Sequence, residues 1–159
     1  MTTETVSRPM TSRTHRIVPH TADVGIEIGA ADPGSLFEEA AVAVASIAAD
    51  IEGNPPAATW DCVTLEASDL PALAYAWLNE IIGLSDIHRG ALVAACVDRL
   101  TLEPSTDGRA CWTLRARVGF RSFGGRDVRP HCQVKAATFH ELAVRQDGDV
   151  WTLTAYLDI

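Results

Sequence analysis

The hydrophobic period of this chain switches between two and about 3.6 residues along its length, and that switching is what most limits its fold. From Asp23 to Gly29, Val24, Ile26 and Ile28 recur at every second position, the pattern of a half-buried strand. From Leu36 to about Ala49 the spacing lengthens, and Leu36, Ala40, Val44, Ile47 and Ile51 fall on one helical stripe. The short period returns in Thr59–Glu66, "TWDCVTLE", and the long one in "LPALAYAWLNEIIGL", with Leu70, Leu73, Trp77, Ile81 and Leu84 on one side. Two antiparallel pairs follow: Ala91–Glu103 with Ala110–Phe120 around "PSTDGR", and Gln133–Arg145 with Val150–Asp158 around "QDGD". His15–Val18 reads as extended. Strands and two amphipathic helices in this order predict an α+β fold, a two-layer sandwich in which a mixed, mostly antiparallel sheet carries two helices on one face.

Local signals place the boundaries. Ser35 and Glu38 form a Ser-x-x-Glu capping box for the first helix, and "EGNPP" stops it. Asp69 is the expected N-cap of the second helix, with Pro71 in its first turn, where a missing N–H costs little. Asn79 and Glu80 lie off the apolar stripe, on a solvated face or in a functional role. Residues 1–13, rich in Thr and Ser and without an apolar run, read as a disordered tail rather than a secretory signal. Residues 14–159 read as a single domain, with no segment long and apolar enough to span a bilayer. A cytoplasmic location is expected.

With 13 basic and 21 acidic residues the net charge is −8, which argues against a dedicated nucleic-acid binder. The charge is uneven: Arg115, Arg117, Arg121, Arg126 and Arg129 crowd together with His131. They form either a solvated face or a dock for a phosphate backbone or an acidic partner. Cys62, Cys96 and Cys111 lie in or beside apolar segments and read as small buried residues. Cys132 beside His131 lacks a zinc spacing, and no pair of cysteines forms a CxxC motif. "RSFGGR" is not a nucleotide-binding Walker loop.

Three clusters carry candidate chemistry. The first is "HTADVG", His20 to Gly25, at a strand entrance. The second is "VKAATFHE", Val134 to Glu141, which holds Lys135, the one lysine against twelve arginines. Thr138 and His140 alternate there and so share a face; His140 reads as a general base, a phosphate contact or a core histidine. The third is Leu157-Asp158-Ile159, where an alternating strand runs to the last residue. A strand would fix the Ile159 carboxylate beside Asp158, and a hard divalent cation would relieve their repulsion. The plainer alternative is a strand that stops, with Asp158 solvated.

Taken together, "HTADVGIEI", "SLFEEAAVA", "DLPALAYAWLNEII", "VKAATFHEL" and the terminal "LDI" resemble the archease family over about residues 15–159. The resemblance implies a small cytoplasmic protein that is not itself an enzyme. Its partner would be the GTP-dependent RNA ligase of tRNA splicing and RNA repair, which joins 3′-phosphate or cyclic-phosphate ends to 5′-hydroxyl ends. It would promote ligase guanylylation and multiple turnover, with RNA contacted indirectly or at the rim. It also implies a divalent metal held by Asp23, Asp158 and the Ile159 carboxylate, calcium ahead of magnesium or manganese. His20, Lys135, Thr138 and His140 match family positions near that site. Ala76 and Gln133 stand where relatives commonly carry acids, which weakens any second ion site. Two other classes stay open: a chaperone-like metal-binding module without a dedicated ligase, and a metal-dependent hydrolase with His20 or His140 as base. The latter lacks a nucleophile motif.

Overall fold

The computed structural model describes residues 13–19 and 23–159. Its elements are β1 (Thr14–Pro19), β2 (Asp23–Ala30), α1 (Pro33–Ala48), β3 (Ala49–Ile51), β4 (Thr59–Ala67), α2 (Leu70–His88), β5 (Gly90–Pro104), β6 (Ala110–Ser122), β7 (Val128–Pro130), β8 (Ala136–Asp147) and β9 (Val150–Asp158). The α+β class stands. Strands are shared among a four-stranded sheet in the order β1-β2-β9-β8, a three-stranded sheet in the order β4-β6-β5, and a small β3-β7 ladder. Every pairing is antiparallel.

The helices join the sheets. α1 packs on β1, β2 and β9 of the first sheet and on β5 of the second, while α2 packs on β8 of the first and on β4, β5 and β6 of the second. The apolar stripes read from the sequence meet in one core containing Ile26, Leu36, Val44, Leu73, Trp77, Ile81, Leu114 and Leu157. Trp77 is fully enclosed, and its indole N–H donates to the Phe37 carbonyl at 2.8 Å, which locks α2 to α1. Among the described residues, no buried side-chain nitrogen or oxygen lacks a hydrogen-bond partner.

Several local expectations change. The first helix begins before the proposed capping box: Asp32 is the N-cap, accepting from the Ser35 N–H and hydroxyl at 2.8 Å each. Pro33, with its fixed φ and missing donor, starts the helix there. Glu38 is thereby freed; it accepts from the Val97 N–H at 2.8 Å and pairs with Arg13 at 2.8 Å. α1 ends at Ala48 and passes straight into β3, with the Ala48 carbonyl taking the N–H groups of His131 and Cys132. α2 keeps its Asp69 cap but runs a turn beyond Leu84. Its end is held by His88, whose ring bonds Asp61 at 2.5 Å and stacks on Phe120.

Cys62 is exposed, and Cys96 and Cys111 are only partly covered, so none is a core residue. On β4 and β5 the alternation turns Cys62 and Cys96 to the face away from the helices, both opposite Arg117. Of the tail expected over residues 1–13, only Arg13 falls among the described residues, where it bonds Ser35 and Glu38. No helix among the described residues is long and apolar enough to cross a membrane.

Candidate functional site

β2 and β9 lie side by side in the middle of the four-stranded sheet, and their register makes Asp23 the direct partner of Asp158. Directly opposite residues share a face, with Cβ atoms about 5 Å apart. The intervening positions settle which face. Val24, Ile26 and Ile28 point toward the helices with Leu157, Ala155 and Leu153, so Asp23 and Asp158 point away, toward solvent.

The same outward face carries Tyr156, directly opposite Gly25. A Cβ on Gly25 would come 3.1 Å from the Tyr156 ring and 3.3 Å from Val18 Cβ, so the glycine is what lets the ring lie against β2. The phenol's pKa is held above its ordinary value, first by burial, then by the Glu141 carboxylate it hydrogen-bonds and by Glu27.

β8 brings the second cluster to the same place. The Lys135 N–H donates to the Asp158 carbonyl at 2.8 Å, and Lys135 Nζ lies 3.3 Å from the Ile159 oxygen. The Thr138 hydroxyl donates to the Tyr156 carbonyl at 3.3 Å. Beyond Thr138 the strand breaks register. Thr138 pairs with Tyr156, and the next pair is Ala143 with Thr154. Four residues of β8 therefore stand opposite one of β9, and Glu141 takes the left-handed conformation at φ 52°. Simple alternation does not describe Thr138 and His140. The bulge turns out His140, exposed with its ring 5.6 Å from Tyr156, and Phe139, stacked 3.8 Å from Tyr75. Exposure removes the core-histidine reading of His140.

Asn79 anchors this arrangement from α2. Its amide oxygen accepts from the Ala137 N–H at 3.0 Å, and its amide nitrogen donates to the Ala137 carbonyl at 3.3 Å. Ala137 sits on the outer edge of β8, with no further strand beside it among the described residues. Asn79 therefore acts as a one-residue strand for that edge. Its off-stripe position reflects this tether, not a solvated face.

Asp23, Lys135, Thr138, His140, Asp158 and Ile159 are thus gathered at one end of one sheet, while His20 lies outside the described residues. Tyr156, Glu141 and Asn79 belong to the same region; Asn79 was read as either solvated or functional, Glu141 only as the end of the second cluster, and Tyr156 was not singled out by sequence. For Tyr156 the usable signal was its alternation with Asp158. The donors on Asp23, Asp158 and Ile159 are oxygens, the set a hard cation prefers. Among the described residues no three His, Cys, Asp or Glu side chains gather as a metal site, so Asp23 and Asp158 need a main-chain or water donor beside them.

The arginine stretch is mostly ion-paired. Arg117 grips Asp98 at 2.8 Å, Arg121 meets Asp127 at 2.7 Å, Arg129 lies 3.8 Å from Glu52, and His131 lies 3.8 Å from Asp50.

Fold and site together define a small two-helix α+β protein with a carboxylate pair drawn from strands far apart in sequence. The same fold occurs in the solution structure of Methanobacterium thermoautotrophicum protein 1598, with a TM-score of 0.68 and 22% identity, covering 91% of this chain and 98% of that one. A crystal structure from Thermotoga maritima, described as an archease and possible chaperone, superposes with a TM-score of 0.52 at 20% identity, covering 89% and 94%. Residues 15–159 match the model of the Archease protein family (MTH1598/TM1083), and the chain belongs to that family. Among similar proteins, the archease of Pyrobaculum neutrophilum is 30% identical over 145 residues, spanning 91% of this chain and 95% of that protein. The archease of Thermococcus kodakarensis is 31% identical over 133 residues, spanning 82% and 87%.

Proposed function

We propose that this chain is an activating protein cofactor of a GTP-dependent RNA ligase in tRNA splicing or RNA repair, promoting ligase guanylylation and multiple turnover. Membership of the archease family supports this class of role. The observation that carries the reading is the direct pairing of Asp23 with Asp158 on an outward face. Like charges placed opposite each other on a sheet cost stability, so a fold that keeps them gains when a cation is shared between them.

Asp23 and Asp158, with the Ile159 carboxylate as third donor, would hold a divalent cation, calcium ahead of magnesium or manganese. When bound, such an ion offsets the negative charge that develops on phosphate oxygens as GMP passes from GTP to the ligase. The chain's own residues do the positioning. Lys135 steadies the Ile159 main chain through its ammonium. Thr138 stiffens β9 at Tyr156. His140, exposed on the bulge, stands beside the site on the side open to a partner.

The test is a time course of guanylylation and ligation with the host's candidate ligase at substoichiometric amounts, GTP and divalent metal, with and without this chain. Asp23→Ala should abolish stimulation while leaving the circular dichroism spectrum unchanged. Full stimulation by that variant would defeat the proposal. A residue added after Ile159 should also impair stimulation, because it removes the free carboxylate.

A further inference from the structure

The outward face of the three-stranded sheet, remote from the helices, combines features the carboxylate site does not use. β6 is its central strand, and Arg115, Arg117 and Arg121 alternate along it on that face. Between Arg117 and Arg121 stands Gly119, opposite Trp60 of β4. Trp60 is 56% exposed, an unusual setting for so large an apolar ring. A Cβ on Gly119 would lie 3.2 Å from Trp60 Cζ2 and 2.5 Å from Ala57 Cβ. The indole therefore lies over the backbone of β6, one side seated on Gly119 and the other open to solvent.

The arginines around this ring are held in place. Arg117 binds Asp98 through two nitrogens, and Arg121 reaches both Asp127 at 2.7 Å and the Pro56 carbonyl at 3.1 Å. Arg115 has no ion pair among the described residues and is exposed. Exposed ion pairs of this kind are worth little, so a phosphate can take the place of a carboxylate at small cost. Successive outward positions on a strand are about 7 Å apart, a spacing that suits adjacent phosphates of an extended single strand. The net charge of −8 belongs to the whole chain. On this face four arginines, with Arg99 the fourth, stand among acids that each already hold a partner or lie at the rim, as Glu66 does.

We propose that this face binds single-stranded RNA, with a base stacked on Trp60 and the adjoining phosphates on Arg115 and Arg117. A flat sheet with a bare aromatic ring and neighbouring guanidinium groups suits stacking that tolerates any base. An acidic protein partner would use the arginines and leave the ring idle. The site goes beyond the ligase reading and needs neither ligase nor metal.

The experiment is fluorescence anisotropy of a labelled short oligoadenylate RNA titrated with the full chain at low salt, in chelator and without ligase. Binding by the wild type is expected. Trp60→Ala should weaken it about 5- to 150-fold, the effect of losing one stacked base, while Trp60→Phe stays close to wild type. Arg115→Ala and Arg117→Ala together should flatten the dependence of log K on log salt by about 1.4, from two phosphate contacts on a single strand. No binding by the folded wild type overturns the proposal. So does equal affinity of wild type and Trp60→Ala, or displacement of RNA by polyglutamate at equal charge concentration.

Discussion

Replacing Asp158 by Asn should change the sign of its effect on stability according to the metal present. Asp23 and Asp158 are direct cross-strand partners on an outward face. Two carboxylates about 5 Å apart repel by about 1 kcal/mol when water screens them fully, and directly opposed like charges in sheets cost about 0.2–1 kcal/mol. In chelator, Asp158→Asn removes that repulsion and should raise the melting temperature by about 1–4 °C, given about 2–4 °C per kcal/mol at this size. With calcium at about 100 times its dissociation constant, the wild type gains about 2.7 kcal/mol from binding that the variant forgoes. The balance then reverses to about 2 kcal/mol in favour of the wild type, or about 4–8 °C. Thermal denaturation followed by circular dichroism, in chelator and in a calcium series, reads both numbers. If the variant is equally displaced from wild type in both conditions, or if calcium leaves the wild type unmoved, the pair is not a cation site.

Two further outcomes test the scaffold. Asn79→Ala leaves the Ala137 N–H and carbonyl on the outer edge of β8 without their partner; it should cost about 1–3 kcal/mol and speed hydrogen exchange at the Ala137 amide well beyond that at Leu153. Asp32→Ala should cost about 1 kcal/mol by removing the α1 cap. The Asp32 pKa lies below its ordinary 3.8, chiefly through the Ser35 backbone hydrogen bond. Its contribution is therefore fully present above 3.8 and lost as pH falls through the lowered native value. Chemical denaturation of wild type and variant across pH should show a gap that is constant near neutrality and closes in acid.

How far the sequence predicted this molecule depended on whether a feature was periodic. Both helices and the longer strands were legible because each buries one face, and a two- or 3.6-residue period is the direct trace of that burial. The β3-β7 ladder was not, since three-residue strands are too short to show a period. The last turn of α2 lies beyond its apolar stripe and is stabilised by His88 reaching Asp61, a tertiary contact with no local trace. The Ser-x-x-Glu pattern misled because Asp32-Pro33 offers an earlier start, and Glu38 is used by β5 instead. Of the site, Asp158 and the Ile159 carboxylate stood out in the sequence itself and the resemblance joined Asp23 to them, while the register that makes Asp23 and Asp158 partners needed the assembled sheet. The β8 bulge was read as regular strand, because its residues alternate plausibly and only Glu141's left-handed backbone betrays the break.

The placement of β2 between β1 and β9 also shapes how the chain is made. On a ribosome, Asp23–Ala30 emerges early, yet its second hydrogen-bonding edge stays open until residues 150–158 have been synthesised. Throughout that interval Ile26 and Ile28 sit on a strand with an unpaired flank, the configuration that invites association with other chains. α1, next to emerge, can shield their side chains but cannot satisfy the exposed main-chain groups. The nascent protein thus carries a sticky edge for most of its synthesis, and the strand that closes it also delivers Asp158 to Asp23.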